Sequence, residues 1–209
     1  MKEAVVVLGG GGHAKVVVSA LRAARISIAG VYDDADHSPG RRVLGVEVRG
    51  PISQAVADGN RWAVIGIGSN EVRKRLVEDP ALAGLEFATV VHPYSFVDPS
   101  VRLGAGTVVF AGAVIQPDSV IGRHTIVNTG ATVDHDANIG DFCQVCPGAH
   151  LAGRVHLEEG VFIATGASLV PGVRVEAWST VGAGAVVVGN LPAGVTAFGV
   201  PARPRGAGT

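Results

Sequence analysis

Cysteine, aromatic side chains, basic excess and long apolar runs are all scarce in this chain. Two cysteines in 209 residues cannot form the disulfide framework of a small secreted domain. Lys plus Arg number 17 against 18 Asp plus Glu, for a formal charge of −1. With no cationic surplus to attract polyphosphate, nucleic acid is not expected as a partner. No apolar run approaches the roughly 20 residues of a membrane helix, and no signal-peptide pattern precedes the glycine cluster at Gly9. A soluble, cytoplasmic protein with no membrane partner is therefore expected. Hydrophobic residues make up 47% of the chain but aromatics only 5%, so the core must be built from Val, Ala, Ile and Leu. Glycine is abundant, at 30 residues, which favours strands broken by frequent turns.

From Val97 the sequence repeats every six residues. The first position of each hexad runs Val97, Leu103, Val109, Ile115, Ile121, Val127, Val133, Ile139, Val145, Leu151, Leu157, Ile163, Leu169, Val175, Val181 and Val187, all of them Val, Ile or Leu. The fifth position is small or β-branched almost throughout, with Leu191 the large exception. Neither a helix nor a flat sheet has this period, whereas a parallel β-helix of hexapeptide repeats does. Three hexads make one triangular coil, so residues 18 apart stack, and the run to residue 192 makes a little over five uninterrupted coils.

Residues 1 to about 92 follow another pattern. Strands are expected over 4–8, 26–32, 43–48, 62–67 and 86–91, alternating with helices over 13–24, 52–57 and 70–78. This is a small parallel α/β unit with Rossmann-like βαβ order. Pro93 and Pro99 punctuate the junction, giving an α/β domain at 1–92 and a β-helix domain at 93–209 that ends in an irregular tail.

Three constellations could carry chemistry. Val5-Val6-Val7-Leu8 leads into Gly9-Gly10-Gly11-Gly12-His13, followed by Asp33 at the end of the next strand. Glycines let a backbone approach a diphosphate, a helix start offers free N–H groups, and an acidic residue can meet ribose or base. About 90 residues cannot hold both halves of a redox Rossmann domain, so a mononucleotide or nucleotide sugar fits better. In the second constellation, Val133-Asp134-His135-Asp136, an imidazole sits at the third hexad position, beside a turn. Residue 135 plus 18 is Gly153, which leaves space beside the ring, and a histidine oriented by a neighbour can act as a base. His124, His150 and His156 read as solvated turn residues. The third, Cys143-Gln144-Val145-Cys146, has no second Cys pair to complete a zinc site. No two of the four solenoid histidines lie 18 apart, so both cysteines read as structural and no metal is expected.

The order of glycine-rich loop, α/β unit and uninterrupted hexads ending in Gly199-Val200-Pro201-Ala202-Arg203 resembles the bacterial nucleotide-aminosugar N-acetyltransferases over essentially the full length. These enzymes acetylate UDP-linked 4-amino sugars or GDP-perosamine, and sialic-acid O-acetyltransferases are close cousins. The resemblance implies a left-handed β-helix, a homotrimer with sites between neighbouring β-helices, and acetyl-CoA as cosubstrate. It implies a role for His135 with Asp136 as the catalytic pair, for Asn128 and the Gly153 N–H near the thioester, and for Gly9, Gly11, Gly12, His13, Asp33, Asp34, Gly68, Asn70 and Arg73 at the nucleotide sugar. Gln144 stands where UDP-sugar members carry a second histidine near CoA. The expected reaction is direct transfer of an acetyl group to the amine of a UDP-, GDP- or dTDP-linked amino sugar. O-acetyl transfer on the same fold and a non-catalytic nucleotide-binding trimer are the competing readings.

Overall fold

The computed structural model describes residues 3–205 and divides the chain after Pro93 into two compact units. In the first, the run Val5–Leu8 forms β1 with all four side chains buried, as a strand covered on both faces must be. Helix α1 (Gly12–Ala23) buries Ala14, Val17, Val18 and Leu21, the spacing of one apolar stripe. Next come β2 (Ile28–Tyr32), β3 (Arg42–Val43), β4 (Val46–Gly50), β5 (Trp62–Ile65), α2 (Asn70–Glu78), β6 (Glu86–Phe87) and β7 (Val90–Val91). The sheet order is β3-β4-β2-β1-β5-β6. Because β1 pairs in parallel with β2 on one side and β5 on the other, the strand order reverses at β1.

Four expected elements differ. The strand expected over 86–91 is two short strands, β6 (Glu86–Phe87) and β7 (Val90–Val91), of which only β6 joins this sheet. The strand expected over 43–48 is instead a hairpin, because Leu44 and Gly45 both take positive φ, 46° and 79°, the geometry of a two-residue turn between antiparallel strands. The helix expected over 52–57 is a single 3-10 turn, Ile52–Gln54. The strand expected to reach Ile67 ends at Ile65, and Gly66 to Gly68 form a loop.

In the second unit every hexad yields one two-residue strand, from β8 (Phe96–Val97) through β23 (Val186–Val187), whose second residue is the first hexad position. Strands three apart pair in parallel with an 18-residue offset, as Ile115 with Val133 and Val133 with Leu151. The result is a three-sided left-handed parallel β-helix. The first-position aliphatics are buried from Val109 onward and pack with the inward fifth positions into one continuous core. The tail is ordered as an antiparallel hairpin, β24 (Thr196–Phe198) with β25 (Arg203–Arg205).

Polar fifth positions are fully buried yet satisfied. The hydroxyls of Thr107, Ser119 and Thr125 donate to the carbonyls of Gly122, Asp134 and Gly140 at 2.7, 2.9 and 2.8 Å. The same oxygens accept from the backbone N–H one coil on. Cys143 continues this device through its thiol, which donates to the Glu158 carbonyl. Its place in the core agrees with a structural cysteine.

The fourth hexad position is left-handed from Gly106 to Gly184. Glycine fills one corner (Gly112, Gly130, Gly148, Gly166, Gly184), but Asp118, Asp136, Arg154, His124, Phe142 and Trp178 take φ of 53 to 60° at the others. His124 is therefore not a solvated turn residue: it is 5% exposed and stacks on Phe142 at 5.3 Å. His150 and His156 lie on strands β17 and β18, not in turns.

Ile163→Ala, at a fully buried ladder position, should lower unfolding stability by about 2–5 kcal/mol, measured by denaturant titration of the intact protein.

Candidate active site

The first unit holds a cleft of about 330 Å³ where the strand order reverses, the place where open α/β sheets bind ligands. The carboxyl ends of β1, β2 and β5 deliver Gly9, Asp33 and Gly66 to it, tied by hydrogen bonds from Gly9 N to Tyr32 O and from Gly66 N to Leu8 O, both 2.7 Å. The glycines divide the work. Gly9 takes φ of 103°, and a Cβ on Gly10 would lie 2.7 Å from the Asp33 carboxylate. Beside Gly11 and Gly12 there is open space. Gly11 caps α1 with no side-chain hydrogen bond, and the first turn of α1 carries no acidic residue. Its N–H groups and the positive end of the helix dipole are thus available to an anion.

His13 lines the same cleft. Burial, with the charge of Arg73 second, lowers its imidazole from the usual 6.5 to about 4, so the ring is neutral at neutral pH. Gly68 also lines the cleft. Asn70 and Arg73 are buried behind it, the guanidinium donating to Gly68 O at 2.7 Å and to Asn70 Oδ1 at 3.0 Å. They shape the Gly66 to Gly68 loop and do not line the cleft. Asp34 does not line it either: its carboxylate accepts the Ile52 N–H at 2.8 Å. The sequence reading missed Arg41, which lines the cleft and grips Asp33 at 2.5 Å. The two lie eight residues apart across the irregular loop that leads from β2 to β3, and no sequence periodicity links them.

The second site is a corner of the β-helix. Positions 18 apart in the third hexad column read Pro99, Pro117, His135, Gly153, Pro171. His135 is held in three ways: its N–H donates to Asp134 Oδ1 at 2.8 Å, its carbonyl accepts from Arg154 N at 2.8 Å, and its Nδ1 lies 2.7 Å from Asp136 Oδ2. An ionised carboxylate can only accept, so this contact puts the proton on Nδ1 and leaves the Nε2 lone pair free. Nε2 faces the next coil, where a Cβ on Gly153 would stand 2.6 Å away. Prolines supply no N–H at three positions of this column, and the His135 N–H is used. Among the described residues the Gly153 N–H meets no partner. An imidazole nitrogen with a free lone pair and an unused backbone donor therefore lie side by side.

Asp134 also lines a groove of about 380 Å³ on the sheet face formed by β11 (Val114–Ile115), β14 (Thr132–Val133), β17 (His150–Leu151) and β20 (Ser168–Leu169). Among its lining residues, Thr132 Oγ1 meets His150 Nδ1 at 3.0 Å. The structure does not bring Asn128 or Gln144 into contact with His135. Both belong to another face, Asn128 just after β13 and Gln144 on β16. Both are buried, and Gln144 Oε1 has no hydrogen-bond partner among the described residues. Among those residues no group of His, Cys, Asp and Glu could hold a metal ion, and no helix is long and apolar enough to cross a membrane.

Residues 4–79 match the PglD N-terminal domain. Over 113 residues, about half the length of each chain, the sequence is 39% identical to UDP-N-acetylbacillosamine N-acetyltransferase of Bacillus subtilis. The structure is similar to PerB from Caulobacter crescentus, solved in complex with CoA and GDP-perosamine, with a TM-score of 0.91 and 42% identity over 99% of both chains. It is also similar to the acetyltransferase domain of PglB from Neisseria gonorrhoeae, solved with acetyl coenzyme A, with a TM-score of 0.87 and 36% identity over 96% of this chain and 98% of that one.

Gly153→Ala tests the corner. The residue is outside the left-handed region, so the backbone accepts alanine, but the added methyl must push the His135 ring aside. Turnover in an acetyl-transfer assay should fall about 100-fold, the scale of an ångström-level misplacement, with the circular dichroism spectrum of the β-helix unchanged.

Proposed function

Because this chain belongs to the sugar N-acetyltransferase family built on a left-handed β-helix, we propose that it moves an acetyl group from acetyl-CoA to the amine of a nucleotide-linked amino sugar, with His135 as general base. The observation that carries this reading is the pairing of a free His135 Nε2 with the unused Gly153 N–H. An amino sugar is largely ammonium at neutral pH and must lose a proton before it can attack a thioester. His135 takes that proton at Nε2, while Asp136, on Nδ1, fixes the tautomer and balances the imidazolium. The Gly153 N–H meets the carbonyl oxygen as it gains negative charge. The nitrogen attacks directly and the CoA thiolate departs. His135 hands its proton to the departing thiolate, and the nitrogen loses its second proton to the regenerated imidazole and on to solvent, giving the neutral amide; because the nitrogen attacks the thioester directly, no acyl-enzyme forms.

The nucleotide of the acceptor belongs in the cleft of the first unit, with its diphosphate at Gly11, Gly12 and the start of α1. Neutral His13 adds a hydrogen-bonding group there, and Gly68 closes the side. The bound CoA, acetyl coenzyme A and GDP-perosamine in the related structures support both substrate classes. We further propose a homotrimer. Within one chain Asn128 and Gln144 lie on a different face from His135, so a site that uses all three needs a second copy.

His135→Asn should lower turnover by about two to four orders of magnitude while acetyl-CoA affinity, read by calorimetry, stays within a few-fold. Free-thiol release on a panel of UDP-, GDP- and dTDP-4-amino-4,6-dideoxy sugars gives the rate and names the acceptor. Near wild-type turnover would remove His135 from the role. Light scattering on active protein should report about three times the 21.2 kDa chain mass, in keeping with a closed cyclic assembly, and an active monomer would refute the shared site.

A further inference from the structure

Arg41 makes four contacts within the first unit. Its guanidinium reaches Asp33 Oδ2 at 2.5 Å, Asp36 Oδ2 at 3.1 Å and the Asp36 carbonyl, and donates to Gly10 O at 2.8 Å. It thereby ties the loop between β2 and β3 onto the glycine loop. Gly10 has to be glycine because this ion pair lies against it: a Cβ there would be 2.9 Å from Arg41 Nη1 and 2.7 Å from Asp33 Oδ2. The pair is well covered, with side chains 22% and 11% exposed. Among the described residues lining the cleft, Arg41 is the one cation and Asp33 the one carboxylate, while His13 is neutral at neutral pH.

Asp33 thus presents a problem that Arg41 resolves. A carboxylate at the end of β2 can accept hydrogen bonds from a ribose or a base, yet it stands beside the same glycine loop that would cradle a diphosphate. Unpaired, it would repel that dianion through a partly desolvated cleft, where charge interactions are strong. We propose that Arg41 is a positioning residue for the nucleoside diphosphate. It neutralises Asp33, holds the carboxylate in one orientation and fixes the β2–β3 loop as a wall of the nucleotide cleft. This inference rests on the reading of that cleft as the nucleotide site.

The experiment titrates UDP and GDP separately into the full-length protein by calorimetry and measures acetyl-transfer kinetics in parallel. Arg41→Ala should weaken binding of the preferred nucleotide about thirtyfold or more, the effect of stripping the partner from a covered charge. The KM for the sugar nucleotide should rise accordingly, with kcat and the KM for acetyl-CoA near wild type. In the double variant Arg41→Ala/Asp33→Asn the bare carboxylate is gone, so much of the lost affinity should return. Arg41→Lys should fall in between, because an ammonium restores the charge without the planar fork. Equal nucleotide affinity in wild type and Arg41→Ala would overturn the inference, as would a double variant no better than Arg41→Ala, which is what a purely structural staple would give. If the wild type binds neither UDP nor GDP while turning over a sugar nucleotide of another base, the same series is run with that base's diphosphate. If it binds no nucleoside diphosphate at all, the reading of the cleft itself falls.

Discussion

Each coil of the β-helix hangs from its neighbours by parallel backbone pairing that sets residues 18 apart in register, and nearly everything else in the second unit follows from that offset. It stacks the aliphatic ladder into one core and sets the fifth-position hydroxyls where each can donate to one carbonyl and accept from one N–H. A buried threonine or serine would otherwise cost stability; here it clamps two coils together. The same offset puts Gly153 against the His135 ring. Catalytic geometry is usually assembled from distant chain segments. On the proposed function, in this unit it is a property of a ladder that repeats regardless of chemistry, and the candidate site lies where the ladder's proline column is interrupted.

In the first unit the comparable constraint is the reversal of strand order at β1. Parallel strands pointing the same way bring three loops to one edge, and the loop residues are small there because other groups approach closely. Gly9 is pressed by Ile67 and Gly10 by the Asp33 and Arg41 pair, whereas Gly11 and Gly12 face open space. Four consecutive glycines thus do two things: the first pair lets neighbouring groups pack closely, and the second leaves open space in the cleft.

The β-helix could be read almost residue by residue, because hexad periodicity is strictly local and every strand from β8 to β23 falls where its aliphatic lies. The glycine loop and the stacking of His135 with Gly153 followed from spacing alone. Other features depend on tertiary geometry that spacing does not encode. Nothing in the run 43–48 announces that Leu44 turns left-handed. Arg41 reaches Asp33 only once the irregular loop between β2 and β3 folds back, and Asp34 is diverted to the Ile52 N–H although its neighbour Asp33 faces the cleft. His124 is the opposite case: its hexad position was clear, but its burial depends on Phe142 one coil away and on glycine at 106, where a Cβ would collide with the ring.

The 18-residue offset also limits how such a chain can change in length. Insertion or loss of a few residues within a strand would rotate every later side chain onto the wrong face, so internal growth or shrinkage must come as whole coils or as loops extruded at a corner. Whole coils can be duplicated below Asp118 or above Gly172 without disturbing the corner that holds His135. Between His135 and Gly153 there is no such freedom. One added coil there would lift the backbone donor off the imidazole by the height of a strand spacing, about 4.8 Å, and part the two halves of the site. On the proposed function, that interval is the segment of the solenoid whose length is fixed by chemistry.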